Sequence, residues 1–140
     1  MDDGALADPK TKVVLVVDDD EDYRVCVEMF LRKEGYQVRH AGSGNEALAL
    51  VEKNPPDLII TDLMMPDAGG YEVLRGLQSV AGARIPVVVN TARKLSDAHS
   101  QMLRAESNVV DILQKPISFP LLLALIARAL KTRPPDAEPL

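Results

Sequence analysis

The stretch KVVLVVDDDEDYRVC, Lys12 to Cys26, runs a β-branched apolar segment straight into five consecutive acids, Asp18 to Asp22. Val13 to Val17 is short and continuously apolar, which is what a strand buried on both faces requires. The acids then stand at that strand's carboxyl end. Beyond them, Glu21 to Lys33 carries helical spacing that places Tyr23, Cys26, Val27, Phe30 and Leu31 on one face. A doubly buried strand leading into an amphipathic helix is the first half of a βαβ unit.

The pattern recurs along the chain. Val38 to Ala41, Leu58 to Thr61, Val87 to Asn90 and Val109 to Leu113 read as further strands. Asn45 to Glu52, Tyr71 to Leu77, Ser96 to Ala105 and Ser118 to Lys131 read as helices between and after them, with Ser118 as a cap and Pro120 tolerated in the first turn. Strand–helix alternation implies parallel strands, right-handed crossovers and helices on both faces. The expected fold is therefore α/β, a doubly wound five-stranded parallel sheet in the flavodoxin-like order 2-1-3-4-5. Residues 1–11 read as a flexible tail, 12–131 as the domain, and 132–140 as a Pro-rich tail or linker.

Composition narrows the function. The 140 residues are 46% hydrophobic and 26% charged, with a net charge of -5 and no basic stripe, which disfavours direct nucleic-acid binding. Cys26 is the one cysteine, so neither an intrachain disulfide nor a cysteine zinc site is expected. No apolar run reaches membrane-spanning length, and the acidic beginning has no apolar leader core; a cytoplasmic location is expected.

In such a sheet, ligands bind beyond the strands' carboxyl ends. Asp18 and Asp19 end the first strand and Asp62 ends the third, its neighbour in the expected order, so three carboxylates converge. Their mutual repulsion calls for a hard cation, and Mg²⁺ is the natural occupant, with Mn²⁺ as an alternative. Thr91 and Lys115 end the fourth and fifth strands. A hydroxyl and an ammonium beside a metal are what a phosphoryl group needs. Asp20 to Asp22 instead open a helix, where acids suit the dipole. An EF-hand reading of the acid run fails, because Tyr23 stands where glycine is needed and Met29 where the bidentate Glu belongs.

The order VVDDD, IITDLMMP with Gly70 four residues after Pro66, VVVNTA and QKPI resembles the CheY-like receiver domain of bacterial two-component response regulators. The resemblance implies that Asp62 is the phosphoacceptor and that Asp18, Asp19, Asp62 and the Met64 carbonyl hold the metal. It implies that Thr91, Ala92 and Lys115 bind the phosphoryl group, that the Lys115–Pro116 peptide is cis, and that Met64 and Arg93 set the lifetime of the phosphorylated state. A sensor histidine kinase or a phosphotransfer protein is the implied partner. A second class, a haloacid-dehalogenase-like phosphatase with Asp18 as nucleophile, leaves Asp62 unexplained and lacks the acidic pair after the lysine.

Two departures stand out. Receivers usually carry Tyr or Phe three residues before the lysine, and this chain has Ile112; the Thr91–Lys115 interval is also about two residues longer than usual, with the extra length expected near Arg93 to Asp97. On the last helix, Leu121 and Leu125 are expected to face outward, making a surface for a protein partner or a second copy.

Overall fold

The computed structural model describes residues 6–63, 65, 70–78 and 84–133. Five parallel strands, β1 (Val13–Val17), β2 (Gln37–Ala41), β3 (Leu58–Asp62), β4 (Val87–Thr91) and β5 (Val109–Gln114), form one sheet in the order β2-β1-β3-β4-β5. The helices between and after them are α1 (Glu21–Lys33), α2 (Gly44–Lys53), α3 (Gly70–Gln78), α4 (Asp97–Arg104) and α5 (Phe119–Leu130).

Alternation along the strands divides the core in two. Val14, Val16, Ile60 and Val88 meet Val27 and Leu31 of α1 and Leu122 and Ile126 of α5. Leu15, Val17, Ile59 and Val89 point the other way, toward Ala47 and Val51 of α2, Val73 and Leu74 of α3 and Leu103 of α4. Helices on both faces explain why VVLVV lacks a polar alternation: neither face meets water.

Helix starts follow local chemistry. The Asp20 carboxylate caps α1 by accepting from the Tyr23 amide at 3.2 Å, and Glu21 and Asp22 occupy its first turn. Ser43 caps α2 while Glu46 reaches back to the Gly42 amide at 2.8 Å. Ser96 and Ser118 cap α4 and α5.

Several expectations change. On α1 the buried face is narrower than its apolar spacing, since Val27 and Leu31 are buried whereas Cys26 is exposed. Phe30 is 40% exposed and stacks on Phe119, with ring centroids 3.8 Å apart. Leu125 is not an outward residue: it is 4% exposed and packs in the α1–α5 core, while Leu121 is 47% exposed. At about 100° per residue, Leu125 lies only about 60° from Leu122, whereas Leu121 lies about 100° away. The buried arc of α5 is wide enough to take in Leu125, leaving Leu121 alone of the pair on the surface.

The strand pairing also carries an irregularity. The β4–β5 register steps from Val87↔Val109 to Val88↔Asp111, so Val110 is an added residue within β5. The segments expected to be loose are in part joined. Pro9–Thr11 forms a 3-10 turn with Pro9 buried, Ala7 bridges Thr132, and the Tyr36 hydroxyl meets the Thr132 hydroxyl at 2.6 Å. Gly35, with φ of 101°, makes the turn from α1 into β2 beneath Pro9.

Candidate functional site

The carboxyl ends of β1 and β3 lie side by side because β1 pairs with both β2 and β3. Asp18 follows Val17 and Asp62 ends β3, so the sheet order alone brings them to one crevice. Carboxylate oxygens of Asp18, Asp19 and Asp62 all lie within 4.8 Å of one another. Asp18 is buried, Asp62 half-buried and Asp19 exposed.

Asp18 is held on several sides. Its Oδ1 accepts from the Asp20 amide at 2.9 Å, its Oδ2 accepts from Lys115 Nζ at 2.7 Å, and its carbonyl accepts from the Arg24 guanidinium. Arg24 in turn donates to His40 Nδ1 at 3.3 Å, and His40 Nε2 meets Glu28 at 2.6 Å. The outer bonds on α1 and β2 thus steady the loop that presents the acids.

Lys115 follows β5 and points back into the crevice, 3.5 Å from Asp62 Oδ2. Burial alone would pull its pKa down; the hydrogen bond and charge of Asp18, with Asp62, outweigh it and hold the ammonium above its ordinary value. Its amide donates to the Thr91 carbonyl at 2.8 Å, tying the ends of β4 and β5, and the Lys115–Pro116 peptide is cis. Thr91 is buried, and its hydroxyl accepts from the Arg93 amide at 3.1 Å, a bond that does not use the O–H proton. Ala92 and Arg93 follow on an exposed loop. Met64 lies outside the described residues.

Two members of the crevice were not anticipated as site residues. Tyr23 lies against Lys115, its ring centroid 4.1 Å from Nζ, and its hydroxyl accepts from Asn90 Nδ2 at 2.8 Å. Burial, with the charges of Asp18 and Asp62, pushes the Tyr23 phenol upward and keeps it neutral. One signal was available in the sequence: alternation after Val88 puts Asn90 on the α1-facing side, where an amide needs a partner.

The crevice fits a hard divalent cation. Three oxygen donors converge, with the Lys115 ammonium between two of them. On the other flank, Ile112 and Thr91 border a cleft of about 170 Å³ that Arg93, Arg104 and Gln114 also line.

Comparison with known proteins decides the family. Residues 14–127 match the response regulator receiver domain model. The chain belongs to the response regulator receiver family. It is 37% identical over 126 residues to the response regulator MprA of Mycobacterium sp. strain KMS, a match covering 90% of this chain and 54% of the relative. It is 32% identical over 118 residues to the transcriptional regulatory protein AfsQ1 of Streptomyces coelicolor, covering 84% of this chain and 51% of that protein. This receiver spans about half the length of the curated relatives it matches. Among solved structures, chemotaxis protein CheY4 of Vibrio cholerae is 32% identical with a TM-score of 0.76, covering 85% of this chain and 98% of that one. The Francisella response regulator 1452 receiver domain is 29% identical with a TM-score of 0.76, covering 86% and 97%. The expected five-stranded flavodoxin-like fold is thereby borne out, and a signalling role with a histidine kinase partner is what the family implies. Among the described residues no helix is long and apolar enough to cross a membrane.

Proposed function

We propose that this receiver is a phosphoacceptor of a two-component phosphorelay, taking a phosphoryl group from a histidine kinase or a small acyl phosphate onto Asp62. The observation that carries the reading is the convergence of Asp18, Asp19 and Asp62 with Lys115 set between Asp18 and Asp62. Asp62 is the more accessible nucleophile of the two: its side chain is 12% exposed against 2% for Asp18.

In the transfer, an Asp62 carboxylate oxygen attacks phosphorus in line with the bond to the donor. A P–O bond forms, the P–N bond of phosphohistidine or the P–O bond of the acyl phosphate breaks, and the imidazole or the carboxylate leaves with its electron pair. Asp18, Asp19 and Asp62, with a backbone carbonyl at Met64, would hold Mg²⁺, or Mn²⁺ in its place. Such an ion, when bound, supplies positive charge to the phosphoryl oxygens. Lys115 exchanges its Asp18 and Asp62 contacts for a phosphoryl oxygen, while the Thr91 hydroxyl and the Ala92 amide donate to the others. Drawing Thr91 and Lys115 inward then shifts the surface that partners read. Met64 and Arg93, as lifetime-setting positions, belong to the same reading.

The phosphatase alternative with Asp18 as nucleophile has no support in the family match, and α5 follows Lys115 without an acidic pair. The test is incubation with Mg²⁺ and acetyl phosphate followed by mass measurement. One alkali-labile phosphoryl group is expected on the wild type and none on Asp62→Ala; no gain on the wild type, or a gain that survives Asp62→Ala, defeats the reading.

A further inference from the structure

We propose that Tyr23 is a positioning residue for Lys115: its ring face, fixed by the Asn90 amide, sets where the ammonium rests between Asp18 and Asp62. The inference rests on the phosphoacceptor reading and deepens it. An ammonium has three protons. Asp18 takes one at 2.7 Å and Asp62 lies at 3.5 Å, so the group covering the remaining side decides its resting place. A third acid there would compete with an incoming phosphoryl group for the cation. An aliphatic side chain would strip water from the charge and return nothing. An aromatic face attracts the charge without consuming a proton, and Tyr23 supplies that face 4.1 Å from Nζ.

The ring is itself held. Asn90 Nδ2 donates to the Tyr23 oxygen at 2.8 Å, and Asn90 is 1% exposed, in a place where the alternation of β4 calls for an apolar side chain. Its Oδ1 has no partner among the described residues. A buried amide left partly unsatisfied is costly, and fixing the Tyr23 oxygen is the return visible in the structure. Asn90 is also the strand partner of Asp62 and immediately precedes Thr91, so the ring is anchored to the strand ends that carry the reacting groups. The chain thereby aligns the lysine from the α1 side.

The test combines kinetics with a direct view of Lys115. Asp62 labelling by acetyl phosphate is timed by mass in the wild type, Tyr23→Leu, Tyr23→Phe and a set with phenylalanine carrying increasing fluorination at position 23. Fluorination weakens the ring face at nearly constant shape. We expect Tyr23→Leu to slow labelling about threefold to thirtyfold, Tyr23→Phe to recover most of that loss, and the rate to fall with each added fluorine. In parallel, the Lys115 ε-methylene protons should be ring-current shifted in the wild type and in Tyr23→Phe, and return to ordinary positions in Tyr23→Leu. A flat rate across the fluorinated set, or methylene resonances unmoved by Tyr23→Leu, overturns the inference. Because that set preserves shape, a misfolded Tyr23→Leu leaves the fluorinated arm decisive. If the wild type takes no phosphoryl group, the phosphoacceptor reading fails, and the resonances still decide whether Tyr23 holds Lys115.

Discussion

The two flanks of the acidic crevice are built differently. On the α1 side, Tyr23 lies against Lys115 and is pinned by Asn90, so ring, amide and ammonium form a packed series. On the α4–β5 side stands Ile112, beside a cleft of about 170 Å³ that opens next to Thr91. Receivers resembling this one usually place an aromatic ring on that second flank. Here the ring that meets the crevice belongs to the first helix. Packing is therefore closer between β1, β4 and α1, and the second flank is loosely filled.

The largest expected effect is at the group held by the packed flank. Lys115→Ala leaves Asp18, with a 2% exposed side chain, without its partner, and removal of one member of a buried pair costs about 3 kcal/mol. The urea midpoint without divalent cations should fall accordingly, and added Mg²⁺ should restore part of the loss by neutralising the same carboxylates. An unchanged midpoint would mean that Lys115 does not balance these acids, and the packed flank would lose its purpose.

Next come the ring and the amide. Asn90→Val deprives the half-buried Tyr23 oxygen of its donor, and Tyr23→Phe leaves the buried Asn90 amide unpaired; each should cost about 1–3 kcal/mol. The double variant removes both polar groups together and should be more stable than the sum of the singles predicts. A double-mutant cycle with no coupling would break the claim that the pair acts as one unit.

How much of this was legible beforehand follows from which interactions are local. The strands read correctly to within a residue because burial on both faces makes them short, continuous and apolar, as in VVLVV and LII. Asp18, Asp19, Asp62, Thr91 and Lys115 were legible as a group because each ends a strand and parallel order puts those ends together. The Tyr23–Asn90 contact was not, since it joins residues 67 positions apart whose side chains meet only when α1 is laid on the sheet. Leu125 was misplaced because the width of a buried helix face depends on what covers it, and the Phe30–Phe119 stack shows how closely α5 approaches α1. The bulge at Val110 was not legible either, because nothing local in VVDIL marks one residue as unpaired.

A ring remote from both flanks supplies a control. Tyr36 is 3% exposed and its hydroxyl meets Thr132, where the two ends of the described chain are joined. Tyr36→Phe should cost about 1 kcal/mol and leave Asp62 labelling unchanged, in contrast to Tyr23→Leu. Burial raises the Tyr36 pKa above its ordinary 10.0, more than the Thr132 bond lowers it. The folded state therefore keeps a proton that the unfolded chain releases. This contribution is present below pH 10 and is lost as pH climbs toward the raised value. Urea midpoints from pH 9 upward, about the ordinary tyrosine range, should decline less steeply in Tyr36→Phe than in the wild type; equal slopes would show that another group governs the alkaline loss.

The smallest effect is expected on the open flank. Ile112 is only partly buried, and its strand position beside Val89 borders the cleft next to Thr91. Enlarging a side chain in a closed core forces neighbours off their rotamers, at about 1–3 kcal/mol. Ile112→Tyr has open space to enter, so its urea midpoint should correspond to a loss below about 1 kcal/mol. A loss as large as that of Asn90→Val would mean that the α4–β5 flank is as tightly packed as the α1 flank, and that the two flanks do not differ. A small loss would instead show that the absence of a β5 ring is a property of this chain's side-chain choice rather than of the space available, since the fold would still have room for one.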